Sequence, residues 1–438
     1  MRFHLNAAII ALLACPLAST AAEPNQLTPD QIAAGWINLF DGETLFGWQP
    51  TSDANWKVED GAITVSEGYE GFLMTNSEFA DYELHVEFKA PAATNSGVFL
   101  RTPLKPTDPK TDCLELNIAP KDNPFPTMSL VGRTVVPNVP IGEFSGGNDL
   151  WDGGWHAANV TLKGTNCTIA ADDYNPSFDN RLDGDVGTIA AKDAKVSVPL
   201  RGRVALQFRE GPVAFRNIRL KPLGLKPMLN GKDLAGWNVD KTEASKYEVV
   251  APQESSGPLP LEGRAGEGVE VGTSAVLQVT GGRGQLETEK SYGDFTMQLD
   301  CFVNGDGLNS GVFFRSIPRG FANGYEAQIQ NVVKDGDPAK PVDAGTGAIY
   351  RRTTARRVVS KDREWFTMTL IPTGPHIAVW VNGYQVTDWT DDRPPHDNPR
   401  KGLRLAPGTI SLQGHDPTTN LRFRNLKIAE LPKNKNQE

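Results

Sequence analysis

Asn95-Ser96-Gly97-Val98-Phe99-Leu100-Arg101 returns 214 residues later as Asn309-Ser310-Gly311-Val312-Phe313-Phe314-Arg315. Two more blocks repeat on either side of it. Leu39-Phe40-Asp41-Gly42-Glu43-Thr44-Leu45-Phe46-Gly47-Trp48 recurs as Met228-Leu229-Asn230-Gly231-Lys232-Asp233-Leu234-Ala235-Gly236-Trp237, and Phe215-Arg216-Asn217-Ile218-Arg219-Leu220 recurs as Phe423-Arg424-Asn425-Leu426-Lys427-Ile428. The blocks keep their order over a period far longer than a solenoid unit, so the chain is a duplicated domain. The copies are placed at 27–224 and 225–433, joined near Pro222-Leu223-Gly224-Leu225-Lys226-Pro227. The offset grows from 189 at Trp48/Trp237 to 214 at the Asn-Ser-Gly block, which gives the second copy about 25 additional residues. They fall around Ala251 to Ala275, where Gly, Pro, Ser and Glu predict a surface insertion.

Within each copy the apolar residues alternate with period two. Tyr82, Leu84, Val86 and Phe88 are interleaved with Glu83, His85 and Glu87, the pattern of a strand with one packed and one wet face. Ile377, Val379 and Val381 lead into Asn382-Gly383 and then Tyr384-Gln385-Val386, a hairpin signal. Only Thr28-Pro29-Asp30-Gln31-Ile32-Ala33-Ala34 reads as a mature-chain helix, with Thr28 as cap and Pro29 in the first turn. The expected fold is therefore all-β, two tandem jelly-roll sandwiches.

The 438 residues are 39% hydrophobic and 22% charged, with a net charge of -9. That excludes a disordered chain and an overall positive field for nucleic acid, and no mature stretch is apolar enough to span a bilayer. Arg2, the apolar Ala7–Leu13 stretch and the small residues of 18–22 predict a signal peptide over 1–22, hence an exported protein, periplasmic or extracellular. A first core helix is the competing reading. Leu12-Leu13-Ala14-Cys15 also resembles a lipoprotein box, which makes a lipid anchor on Cys15 the secondary reading. Of the remaining thiols, Cys113 and Cys167 could bridge within one copy, but each lies in an apolar strand-like run and is expected to be a buried thiol, as is Cys301.

No catalytic-triad elbow, phosphate loop, dinucleotide fingerprint or zinc motif is present, and Gly281-Gly282-Arg283-Gly284 lacks a βαβ setting and reads as a turn. Trp48 and Trp237 are expected in the cores, and Asp41 and Asn230 in turns. Chemistry is sought instead on Gly324-Tyr325-Glu326-Ala327-Gln328-Ile329-Gln330, where alternation puts Glu326, Gln328 and Gln330 on one face. Arg315 closes the preceding strand, and Gln413-Gly414-His415-Asp416 adds an imidazole. A solvated sheet face is the plain alternative.

These residues, together with Trp56-Lys57-Val58-Glu59-Asp60-Gly61, Thr346-Gly347-Ala348-Ile349-Tyr350, Leu412-Gln413-Gly414-His415 and Phe423-Arg424-Asn425, resemble the 3-keto-disaccharide hydrolase domains, long counted among the domains of unknown function of secreted bacterial proteins. The resemblance covers nearly the whole mature chain, twice. It implies concanavalin-like jelly rolls acting on glycosides that a separate sugar 3-dehydrogenase has oxidised at C3. In that chemistry the ketone acidifies the C2 hydrogen, a carboxylate removes it, and the C1 oxygen departs by elimination before water is added. Glu326 is the expected base and His415 the acid or second base. Arg315 and Gln328 are the expected enolate or hydroxyl contacts, with Asn309, Tyr350 and Gln413 as further substrate contacts. A divalent cation could stand in for the arginine, with Asp416 or Glu326 as ligand. The first copy keeps Asn95, Arg101, Glu115 and Gln207, but has Asn117 in place of Gln328 and no histidine matching His415, so it is expected to be a degenerate or sugar-binding copy. The competing functions are a non-catalytic, lectin-like carbohydrate-binding protein and a structural envelope protein.

Overall fold

The alternation at Tyr82, Leu84, Val86 and Phe88 becomes the strand Tyr82–Lys89, whose apolar side lies in the core of the first of two β-sandwiches. The structure, a computed structural model, describes residues 23–120, 122–133, 153–172, 199–239, 244–251 and 275–433. The leader-like segment with Cys15 and most of the 251–275 insertion lie outside them.

All paired strands are antiparallel within four sheets. In the first copy a five-stranded sheet has the order Trp48–Pro50, Gly71–Thr75, Arg203–Glu210, Asn95–Thr102, Leu114–Ile118. The second copy repeats that order with Trp237–Val239, Gly284–Thr288, Thr409–Gly414, Ser310–Ser316, Tyr325–Ile329. The facing sheets also share an order. Lys57–Glu59, Ala62–Val65, Val213–Pro222, Tyr82–Lys89, His156–Lys163 and Asn166–Asp172 correspond to Lys246–Val250, Val276–Thr280, Asn420–Glu430, Phe295–Val303, Trp365–Thr373 and His376–Val381, and the second copy adds the edge strand Tyr384–Thr390. This is an all-β molecule of two tandem jelly-roll sandwiches, each with apolar side chains of both sheets interdigitated between them.

The helix Pro29–Ala33 forms behind a Thr28 capping box, with Gln31 returning its side chain to the Thr28 N–H. Trp48 and Trp237 are buried, and their indole N–H groups donate to the Leu39 and Met228 carbonyls. Asp41 and Asn230 accept backbone N–H groups two and three residues on, which fixes the turns before Gly42 and Gly231. Cys113, Cys167 and Cys301 are buried and form no disulfide with one another. Their burial pushes the first two thiols up to about 12 and the third well above its ordinary value.

The copies also pack on each other. Ile371, Ala378 and Trp380, from the larger sheet of the second copy, belong to the apolar cluster of the first, and the Trp380 indole donates to the Asn38 carbonyl at 2.8 Å. Gln298 donates to Gly35 O, Asn76 to Asp388, and Arg201 and Arg356 pair with Asp294 and Asp41 across the junction.

Candidate functional site

The strand Tyr325–Ile329 sends Tyr325, Ala327 and Ile329 into the core and leaves Glu326 and Gln328 on the opposite face of the five-stranded sheet. Its register with the neighbouring strand pairs Phe313 with Glu326 and Gly311 with Gln328. A Cβ on Gly311 would stand 2.8 Å from Glu326 Oε1, so only glycine lets the carboxylate fold back over that strand. The other side of the strand is covered by 346–350. Gln328 N–H donates to Ala348 O, and the N–H groups of Gly347 and Tyr350 donate to the carbonyls of Gln328 and Glu326.

Glu326 is 5% exposed, and burial pushes its carboxyl up to about 7 against the opposing charges of Arg400 and His415. Arg400 Nη2 lies 3.0 Å from Glu326 Oε2, its Nε donates to Ala322 O, and its guanidinium sits 5.4 Å from the centre of the Phe313 ring. The His415 imidazole is exposed, with Nδ1 2.9 Å from Asp416 Oδ2. Gln328 and Asn309 both donate to the Asp343 carboxylate, at 3.2 and 2.7 Å. The side-chain oxygens of Gln328 and Gln413 are buried and accept no hydrogen bond. A buried acceptor without a donor is costly.

Glu326, Gln328, Gln413, Asn309 and His415 therefore lie on or at the rim of one polar face. Gln330 belongs to a loop end, with its amide bonded to Gly307 O and Val332 N–H. Tyr350 is half-buried beside this strand through its backbone bond to Glu326. Arg315 corrects the sequence expectation. Its side chain is fully buried and bonded to the carbonyls of Gly293, Gly374 and Arg404 and to Asp294. A register shift between Phe313 and Ser316, with Arg315 at φ 47°, takes it out of the alternation and away from the polar face. Arg101 repeats this arrangement at φ 52°, with bonds to Ala80 O, Gly164 O, Pro199 O and Asp81, so it too is withdrawn from substrate contact. The cation that does approach the carboxylate is Arg400, from the 391–404 loop. Neither Arg400 nor Asp343 belongs to a periodic segment that would have singled it out.

The two residues considered as cation ligands are otherwise engaged, Glu326 by Arg400 and Asp416 by His415 and Thr418. Among the described residues no group of three His, Cys, Asp or Glu side chains is gathered to hold a metal ion.

The first copy reproduces the frame. Phe99 pairs with Glu115 and Gly97 with Asn117, and a Cβ on Gly97 would stand 3.3 Å from Glu115 Oε1. Burial pushes Glu115 up to about 7, opposed by the charge of Arg209, which stands where the second copy has His415. Asn95 is half-buried at the start of its strand, Gln207 Oε1 is buried without a donor, and Asn117 donates to Phe125 O. Phe72, Met74, Phe99, Cys113 and Ala205 form an apolar cluster on this face, where the second copy has Gln285, Glu287, Phe313, Gly324 and Ser411.

A family model described as the 3-keto-alpha-glucoside-1,2-lyase-like domain matches residues 35–221 and again 224–429. A stretch of 91 residues is 33% identical to a 3-keto-disaccharide hydrolase of Bacteroides thetaiotaomicron, spanning 18% of this chain and only 31% of that protein. Two crystal structures of candidate glycosyl hydrolases from Parabacteroides distasonis are also similar. One is 20% identical, covering 46% of this chain and 100% of the other at a TM-score of 0.35. The second is 29% identical, covering 36% and 87% at a TM-score of 0.30.

Proposed function

The chain belongs to the family of 3-keto-alpha-glucoside-1,2-lyase-like domains, and from that premise we propose that its second copy cleaves glycosides carrying a ketone at C3. The observation that carries the proposal is Glu326, a buried carboxylate held near neutral pH on a polar sheet face beside two unfilled amide acceptors. A base near neutral pKa combines a useful deprotonated fraction with a real affinity for the C2 proton.

The step balances as follows. Glu326 takes the C2 proton while the C–H electron pair becomes the C2=C3 enolate, with the charge on the C3 oxygen. That pair then forms C1=C2 as the C1–O bond breaks, and the aglycone oxygen leaves with the bonding pair and a proton from His415. Addition of water to the resulting enone completes net hydrolysis. Arg400, in the role first expected of Arg315, supplies positive charge at the reacting centre. The oxygens of Gln328 and Gln413 accept sugar hydroxyls. Asp416 orients His415 through Nδ1, which leaves Nε2 for the leaving group. The substrate is supplied by a separate sugar 3-dehydrogenase, and the leader-like 1–22 segment supports export.

The test is incubation of methyl 3-keto-glucoside, whose alkoxide leaves only when protonated, with wild-type protein and with Glu326→Gln. Release of methanol by the wild type alone, through an enone seen at early times, is the expected result. The two amide acceptors would equally serve a lectin-like protein that only binds. Retention of the sugar by both proteins with turnover by neither would establish that reading and remove this one.

A further inference from the structure

Arg209 occupies the position of His415, and the two side chains differ in the one property an elimination needs at that place. An imidazole donates a proton near neutral pH, whereas a guanidinium keeps its protons throughout the physiological range. Two other polar groups of the second copy's face have counterparts in the first, Glu115 and Gln207. Glu115 sits opposite Phe99 in the register that Glu326 has opposite Phe313, with glycine again beneath its carboxylate. The Gln207 side-chain oxygen is buried without a donor, as Gln413's is. Around it the face is more apolar, with Phe72, Phe99 and Met74 gathered there.

We propose that the first copy is a second, restricted active site, in which Glu115 removes the C2 proton of a 3-keto-glycoside but only aglycones that leave without being protonated are expelled, so that its substrates are aryl 3-keto-glycosides. This rests on the reading of Glu326 as base. The electrons move as in the second copy: the C2 proton goes to Glu115, the C–H pair becomes the enolate, and C1=C2 forms as a stabilised aryloxide departs with the C1–O pair. With an alkyl aglycone the alkoxide cannot leave unprotonated, so the enolate is reprotonated from solvent and the sugar is returned. Burial of Glu115 near neutral pKa agrees with the role but does not by itself require it.

The experiment isolates the first copy in full-length Glu326→Gln. With 4-nitrophenyl 3-keto-glucoside this variant is expected to release nitrophenolate at least tenfold faster than the double variant Glu115→Gln/Glu326→Gln. With methyl 3-keto-glucoside in deuterium oxide it is expected to incorporate deuterium at C2 without releasing methanol. Arg209→His in the Glu326→Gln background is expected to gain methanol release, an outcome that loss of folding cannot imitate. Equal nitrophenolate rates and no deuterium incorporation in the single and double variants would overturn the proposal while leaving the second copy's role intact. Absence of turnover by the wild type on both substrates would instead overturn the reading of Glu326.

Discussion

Glu326 is set by two opposing forces, burial that favours the neutral carboxyl and the cations Arg400 and His415 that favour the carboxylate, and burial wins. If the carboxylate is the base, activity must rise with pH through about 7 as the proton leaves. Arg400→Gln removes the larger of the two opposing charges, so the midpoint of that rise is expected to move upward in a pH profile of kcat/KM. An unmoved midpoint would exclude Glu326 as the titrating base. The same carboxyl makes a stability prediction. Folding raises it from 4.5 to about 7, so the folded chain holds a proton that the unfolded chain has lost across that window. Its contribution therefore turns against folding as pH rises from 4.5 to 7, and by pH 8 amounts to on the order of 3 kcal/mol. Glu326→Gln should accordingly melt above the wild type at pH 8, with the difference fading towards pH 5. A site that gives up stability in this way is the usual companion of function.

Arg315 acts at the scale of the element rather than of the site. Its bulge ends the strand Ser310–Ser316, and its guanidinium ties that end to three carbonyls and Asp294. Arg315→Met removes the donor to three carbonyls and one of the two cations paired with Asp294, which keeps Arg201 and the Gly374 N–H, at an expected cost of about 3–5 kcal/mol in chemical denaturation. KM at low temperature is expected to be nearly unchanged, whereas a substrate contact would raise it. The contrast with Tyr325–Ile329 shows what was legible in the sequence. Where period two runs unbroken, as from Tyr325 to Ile329, side-chain direction follows from position, and Glu326 and Gln328 could be placed on one face beforehand. One left-handed residue ends that inference, and nothing in Val312-Phe313-Phe314-Arg315 announces it. Arg400 and Asp343 come from loops, where no period relates position to direction. Gly311 did carry a readable signal, since a glycine inside an apolar strand marks a close approach, here by the catalytic candidate itself.

At the scale of the whole molecule, the repeat made the two sandwiches legible but not their packing, although Ile377-Ala378-Val379-Trp380-Val381 contained the clue. A strand with one wet face alternates, and this one is apolar throughout, as a strand buried on both faces must be. Ile377, Val379 and Val381 fill the second copy's core, while Ala378 and Trp380 fill that of the first. The contacts between copies thus run through the larger sheet of the second copy, and Glu326 stands on the other sheet. Trp380 is the centre of the junction: it is 1% exposed, lies 6.5 Å from the Phe79 ring, and donates to Asn38 O. Trp380→Ala empties a space that apolar side chains of both copies surround, at an expected cost of about 3–5 kcal/mol. Because that cost falls on the junction, calorimetry should show the unfolding of the two copies separating into two transitions, the first copy melting earlier. Cleavage by the second copy, measured well below both, should persist. A single transition at the wild-type temperature would mean that the sandwiches are joined only by their linker.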